Sequence, residues 1–223
     1  MKEFITRTYP VEFRADEEKK DEEKLDGYIR GVGAVLDQFT DISGYFREKV
    51  DINAFDDVDL TRVKGFFNHD INDKALTSNL IPLEKKGGME ITIDKKNKQV
   101  IIDQHLNLKR SDANDLYLGI QDGVFDGMSF MFGIKEEKWE DLDTDYPTRT
   151  ILKVDPVIEF SVVNYPAYKQ TSIGLRSIEV AENASSVLEK ARQNHLNKRS
   201  VESTAQKEEL ELIKIKNKNL GGR

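Results

Sequence analysis

The aromatic residues and prolines of this chain are confined to the part that ends at Tyr168. Every Phe, Tyr, Trp and Pro lies at or before that position, so residues 169–223 contain none. Aromatic side chains supply much of the buried area of a protein core. The sequence therefore predicts one globular domain in the aromatic part, followed by a tail that has no aromatic core of its own.

We expect three segments in the chain. Residues 1–26 form an N-terminal strand and a charged loop, because RADEEKKDEEKLDG is a mixed charge run typical of solvated loops. Residues 27–177 form the globular domain. Residues 178–223 form a helical or flexible tail, since they are charged and rich in helix formers. The spacing of their apolar residues predicts helices that are exposed or that pair with another chain.

The overall composition excludes several classes of protein. The formal net charge of −7 argues against a general nucleic-acid binder, whose affinity would depend on many lysines and arginines. The absence of cysteine excludes disulfides and thiolate metal sites and fits a reducing compartment. No apolar segment is long enough to span a membrane. The acidic stretch EDLDTDYP lacks the glycine and glutamate of a calcium loop, so we expect no metal, cofactor, nucleic-acid or membrane partner.

The aromatic part is dominated by strand patterns. GMEITIDKKNKQVIIDQHL predicts a hairpin, because apolar residues recur at every second position on both sides of the polar KKNK. SDANDLYLGIQDG predicts a helix with Ser111 as its N-cap and a glycine after its end. Two further strands are predicted in DGMSFMFGIKEEKW and TRTILKVDPVIEFSVVNYP. Many short strands with one or two helices indicate a β-barrel or an α+β domain.

A serine within an apolar strand is the first candidate for a functional residue. If residues 128–132 are extended, Met128, Phe130 and Phe132 share one face and Ser129 lies on the other. A buried hydroxyl costs roughly 1–3 kcal/mol without a hydrogen-bond partner. We therefore expect a polar group to meet Ser129.

The candidate partners are few, because the chain has three histidines. His69 ends the apolar segment VKGFFNH, His105 lies within a strand, and His195 lies in the tail, so His69 is the best candidate for a general base. Glu159 and Ser161 in VIEFSVV lie on the face opposite Phe160, where a carboxylate needs a donor such as an imidazole N–H. A serine, a histidine and a carboxylate form a set that can carry out nucleophilic catalysis.

The contexts of these residues resemble the prohead (capsid maturation) proteases of tailed phages. The similarity spans roughly residues 27–177, and its most specific parts are DGMSFMFG and EFSVVNYPA, together with GFFNHD and the early GYIRGVGAVLDQFTDISGYFREKVDINAF. The resemblance implies that Ser129 is the nucleophile and His69 the general base, with Glu159 as the orienting carboxylate. Herpesvirus relatives use a second histidine as the third member, so His105 and a simple dyad stay open as alternatives.

The resemblance also implies a fold, a role and a location. We expect an α+β domain built mainly on an antiparallel β-barrel with a few helices, similar to herpesvirus proteases, and a helical C-terminal tail. Such serine endopeptidases cleave scaffold regions of capsid-assembly proteins, including the major capsid protein, and also process themselves. They act in the host cytoplasm inside the assembling prohead, and the herpesvirus enzymes suggest a homodimer. The rival interpretation is a non-catalytic scaffold or capsid-assembly protein with the same fold.

Overall fold

The structure is a computed structural model that describes residues 4–10, 27–164 and 183–197. Most of the predicted charge run, the predicted boundary at Ser177 and the tail after residue 197 lie outside these residues. The described residues fall into two compact units. The first comprises residues 4–10, 27–40, 48–138 and 150–164, and the second comprises residues 41–47, 139–149 and 183–197.

The described part of the chain contains ten strands and two helices. In chain order they are β1 Phe4–Pro10, β2 Tyr28–Val35, β3 Thr40–Ile42, β4 Phe46–Val50, β5 Lys64–Phe67, β6 Thr77–Ser78, β7 Gly88–Asp94, β8 Gln99–His105, α1 Ser111–Gln121, β9 Gly127–Glu140, β10 Thr148–Val163 and α2 over residues 183–197. Neither α1 nor α2 is long and apolar enough to cross a bilayer.

The strands form a single mixed sheet. Its order is β1-β9-β10-β5-β6-β7-β8-β2, and β4 pairs with both β10 and β3. The first and last strands of this order, β1 and β2, contact each other, so the sheet is barrel-like. The prediction of a mainly β domain with few helices is confirmed. The description as mainly antiparallel is not confirmed, because β10 runs parallel to β5 and β6 parallel to β7.

Stacked phenylalanines fill the core of the first unit. The ring of Phe130 lies 4.3 Å from that of Phe132, 5.6 Å from that of Phe160 and 5.9 Å from that of Phe55, measured between centroids. Gly33 gives the Phe160 ring its space, since a Cβ at position 33 would lie only 2.5 Å from that ring. The alternation predicted for the β9 segment is therefore confirmed, with its large side chains pointing inward.

Two local predictions have different outcomes. The hairpin is confirmed as β7 and β8, whose register runs from Gly88↔His105 to Asp94↔Gln99. The helix is confirmed as α1, but the N-cap is Arg110 and no side chain caps the helix. The prediction of Ser111 as the cap is wrong, because Arg110 takes the extended conformation of a cap residue and Ser111 is already helical.

The second unit has a small cluster of its own. The ring of Trp139 packs edge-to-face against Phe46 at 5.0 Å, and the guanidinium of Arg149 lies 5.3 Å from the Trp139 ring centroid. An aromatic ring and a cation at these distances attract each other. Phe46, Trp139 and Arg149 therefore hold one another within the second unit.

Helix α2 packs within this second unit. Leu188 is buried, and the guanidinium of Arg192 donates to the carbonyl oxygens of Leu142 at 3.1 Å and Thr144 at 2.6 Å. The sequence predicted exposed helices or helices paired with another chain. This part of the tail instead finds partners within its own chain.

Candidate functional site

Three neighbouring strands carry the segments that the sequence singled out. Ser129 lies in β9, Glu159 lies in the adjacent β10, and His69 follows β5, which is the next strand along the sheet. Strands β10 and β5 are parallel, with Glu159 opposite Lys64 and Val162 opposite Phe67. The segment that follows β5 therefore runs alongside the last residues of β10.

The stacked phenylalanines show which faces of β9 and β10 coincide. Phe130 and Phe160 stack on the core side of the sheet, with their ring planes at 15°. Successive side chains of a strand point to opposite faces. Ser129, Glu159 and Ser161 therefore share the opposite face, and all three are fully buried.

The backbone of the candidate base has an unusual conformation. Strand β5 ends at Phe67, and both Asn68 (φ 52°) and His69 (φ 60°) lie in the left-handed region. The sequence predicted a strand that continues to His69. The structure instead turns the chain there, and such backbone strain is typical of functional sites.

Hydrogen bonds from β10 hold this turn. The N–H of Asn68 donates to the Val162 carbonyl at 2.9 Å, and the N–H of Asn164 donates to Asn68 Oδ1 at 3.0 Å. The N–H of His69 donates to Ser161 Oγ at 3.2 Å. The position of the imidazole is therefore fixed by the end of β10.

The imidazole of His69 binds the carboxylate of Glu159. Its Nδ1 lies 2.6 Å from Glu159 Oε1, and the exposed fraction of the His69 side chain is 13%. The second carboxylate oxygen, Oε2, accepts a hydrogen bond from Ser161 Oγ. When the carboxylate is ionised, Nδ1 carries the proton and Nε2 becomes the free basic nitrogen. This is the arrangement that a general base requires.

The hydroxyl of Ser129 is buried beneath the N-terminal strand. Strand β1 pairs antiparallel with β9, placing Thr8 opposite Ser129, and Ser129 Oγ donates to the Arg7 carbonyl at 3.0 Å. The guanidinium of Arg7 in turn binds the buried carboxylate of Glu48 at 2.5 Å and 2.8 Å. The sequence predicted a polar partner for Ser129, and in the structure this partner is a backbone carbonyl.

The other two histidines are placed differently. His105 is buried in β8, and its Nδ1 lies 3.2 Å from the carbonyl oxygen of Leu83. His195 lies in α2, within the second unit. The carboxylate of Glu159 is therefore the group that the structure places on His69, while the roles of Ser129, His69 and Glu159 stay predictions.

Sequence reasoning missed two parts of this site. Ser161 was placed on the face of Glu159 but was given no role. Side chains that are two residues apart in a strand are neighbours on the same face, so a contact with Glu159 could have been expected. Asn68 was not singled out at all, although asparagine is one of the few residues that adopt the left-handed region readily. Within the described ranges, no three His, Cys, Asp or Glu side chains are grouped to hold a metal ion.

Comparison with known proteins gave one result. The family model described as caudovirus prohead serine protease matches residues 10–186, a range that contains Ser129, His69 and Glu159. Neither the curated proteins nor the solved structures that were searched gave a match.

Proposed function

The chain belongs to the caudovirus prohead serine protease family, and from this membership we propose that it is a serine endopeptidase of capsid maturation. In this proposal Ser129 is the nucleophile, His69 the general base and Glu159 the carboxylate that orients the base. The hydrogen bond between His69 Nδ1 and Glu159 Oε1, at 2.6 Å, is the observation that supports it most strongly.

The proposed reaction gives each of the three residues a distinct role. Ser129 Oγ attacks the scissile carbonyl while its proton passes to Nε2 of His69. The buried carboxylate of Glu159 stabilises the resulting imidazolium and keeps the ring in the correct tautomer. The imidazolium then protonates the leaving amine, and His69 activates the water that hydrolyses the acyl-enzyme.

The hydroxyl of Ser129 has to change partner before this reaction. It donates to the Arg7 carbonyl and is fully buried, so this bond must break and the hydroxyl must approach His69 before attack. Substrate binding must also uncover the hydroxyl. We place this step at β1, because β1 supplies the carbonyl that holds Ser129.

The proposed substrates follow from the role of the family. They are capsid-assembly proteins, namely scaffold regions such as that of the major capsid protein, and the protease itself, cleaved inside the assembling prohead. We also propose that the chain has a fold similar to that of the herpesvirus proteases and that it forms a homodimer.

A non-catalytic assembly protein is the second candidate. The full burial of Ser129 and its bond to the Arg7 carbonyl favour this role, because a scaffold has no need for a reactive hydroxyl. In that case the polar cluster around Glu159 serves only to join β10 to the segment after β5.

Labelling with a fluorophosphonate separates the two functions. In the reaction, Ser129 Oγ forms a bond to phosphorus, fluoride leaves, and His69 takes the hydroxyl proton. We expect the wild-type chain to gain the mass of one probe and to cleave a co-expressed major capsid protein, whereas Ser129→Ala does neither. Ser111→Ala is the matched control, because Ser111 is exposed at the start of α1. Absence of both labelling and cleavage in the wild type would leave the assembly role.

A further inference from the structure

Ser161 lies between the two groups that prepare the base. Its hydroxyl donates to Glu159 Oε2 and accepts the backbone N–H of His69 at 3.2 Å. We propose that Ser161 is a positioning residue that fixes both the carboxylate of Glu159 and the backbone of His69, an inference that rests on the proposed function. It has no part in bond making or breaking.

The carboxylate of Glu159 depends on this hydroxyl. Glu159 is fully buried, and its two oxygens face different donors: Oε1 binds His69 Nδ1 and Oε2 binds Ser161 Oγ. A buried carboxylate that loses one donor is left with an uncompensated oxygen. It then turns towards its remaining partner or towards another donor. Either movement changes the direction in which Oε1 meets the imidazole.

The backbone of His69 depends on the same hydroxyl. His69 has a φ of 60°, a conformation that non-glycine residues keep only when their surroundings enforce it. The bond from the His69 N–H to Ser161 Oγ is a direct restraint on that conformation. One side chain therefore restrains the ring from both ends, through its carboxylate partner and through its own main chain.

The geometry of β10 explains why one residue can reach both groups. Glu159 and Ser161 are two residues apart, so their side chains share a face. The parallel register places Ser161 opposite Phe66, so the end of β10 follows the same direction as the chain that continues from Phe67 to His69. A serine at this position therefore lies beside both the carboxylate and the turn.

A positioning role affects the rate of reaction and leaves binding unchanged. Loss of the Ser161 hydroxyl misplaces the His69 ring, and a displacement of about 1 Å in a catalytic group costs roughly 10²-fold in rate. Ser161 Oγ and Glu159 Oε2 bind each other, and in this proposal neither atom contacts the probe or the substrate. We therefore expect Ser161→Ala to lower the maximal labelling rate by about 10²-fold, with an unchanged half-saturating probe concentration.

The test uses the full chain and three variants of Ser161. Ser161→Thr keeps the hydroxyl and should restore most of the labelling rate. Ser161→Cys keeps the size of the side chain but donates weakly, and should give an intermediate rate if the alanine variant does not fold. Thr77→Val is the matched control, because it removes a buried hydroxyl that binds Gln104 at 2.5 Å and lies opposite Gly65 in the sheet. That variant should lose stability but keep the wild-type rate.

Proton NMR gives a second measurement that does not depend on activity. A His69 Nδ1–H bound to a carboxylate gives a low-field resonance, which is assigned by its absence in His69→Ala. We expect Ser161→Ala to shift or lose this resonance and Ser161→Thr to keep it. Wild-type labelling rates and an unchanged resonance in a folded Ser161→Ala or Ser161→Cys would overturn the inference. If the wild type is never labelled, the proposed function fails, while the resonance still decides the role of Ser161.

Discussion

At the scale of single residues, the central feature is a carboxylate buried with a donor on each oxygen. Glu159 is fully buried between His69 and Ser161, and burial of an ion without such partners would be costly. The chain therefore uses two polar side chains to hold this carboxyl group inside the sheet. In the proposed function, the carboxyl group acts on the imidazole.

Substitution of Glu159 by its amide tests this explanation. We expect Glu159→Gln to fold but to be labelled by a fluorophosphonate on the order of 10²- to 10⁴-fold more slowly, because the amide neither stabilises the imidazolium nor fixes its tautomer. Labelling rates from intact mass measure the change. Asp103→Asn is the control, since Asp103 is a buried carboxylate bound to Arg30 and Tyr28. Equal rates in Glu159→Gln and the wild type would remove Glu159 from the mechanism.

A second carboxylate makes stability depend on pH. Hydrogen bonds from Lys49 and then Lys98 lower the pKa of Asp37 from 3.8 to about 2. A lowered pKa in the folded state means that the ion pairs stabilise the fold above the ordinary carboxyl pKa. This stabilisation is lost as the pH falls through about 2.

We therefore expect Asp37→Asn to be less stable than the wild type at pH 7, and the difference to vanish at about pH 2. Asparagine suits this test because Asp37 has a φ of 50°, which asparagine also tolerates. Urea unfolding of both chains across this pH range measures the effect. A difference that stays constant down to the lowest pH would show that the ion pairs do not cause it.

At the scale of elements, local pairings could be predicted from the sequence and distant ones could not. The β7–β8 hairpin follows from alternation around the polar KKNK, because its two strands are neighbours in sequence. The parallel pairing of β10 with β5 joins segments about 95 residues apart, and alternation says nothing about the partner of a strand or its direction. The sequence patterns therefore could not predict that the sheet is mixed.

The same limit applies to the candidate site. Ser129, His69 and Glu159 could be chosen from residue type and face, and the contact between His69 and Glu159 is present. The left-handed turn at Asn68 and His69 leaves only a weak signal in the sequence, the asparagine itself, because the turn depends on hydrogen bonds from the β10 segment. The Arg7 carbonyl could not be predicted either, since any residue supplies a carbonyl.

Strand β1 is attached to the rest of the sheet by a buried ion pair. Arg7 binds Glu48, whose side chain is 3% exposed. We expect Arg7→Met to lower the free energy of unfolding by roughly 3–5 kcal/mol, because it removes one side of a buried ion pair. Urea unfolding measures the change.

The double variant Arg7→Met, Glu48→Met separates the charge effect from packing. It should recover much of the lost stability, since two apolar side chains replace the pair. Equal losses in the single and double variants would mean that the ion pair itself contributes little.

At the scale of the whole molecule, helical structure is present beyond the composition break. Residues 183–197 lack aromatic side chains, yet they form α2 and bury Ala184 and Leu188 in the second unit. The absence of aromatic residues predicted only that no second aromatic core follows. It did not exclude a helix that packs on a loop of the same chain.

The bonds of Arg192 should control the stability of α2. We expect Arg192→Ala to speed amide hydrogen exchange in residues 183–197 and to leave α1 unchanged, because it removes the donors to Leu142 and Thr144. Mass spectrometry of peptides from both helices measures the exchange. The exposed Glu189 provides a control as Glu189→Ala. Unchanged exchange in α2 would show that Leu188 and Ala184 alone hold the helix.

The bonds from β10 to the turn after β5 have a consequence for the order of synthesis. A ribosome makes His69 and Ser129 before it reaches Glu159 and Ser161, so the imidazole of an emerging chain does not yet have these partners. If Ser129, His69 and Glu159 act as proposed, peptidase activity begins only when β10, the last strand among the described residues, is translated and docked. A newly made chain would then not cleave neighbouring chains before β10 is in place.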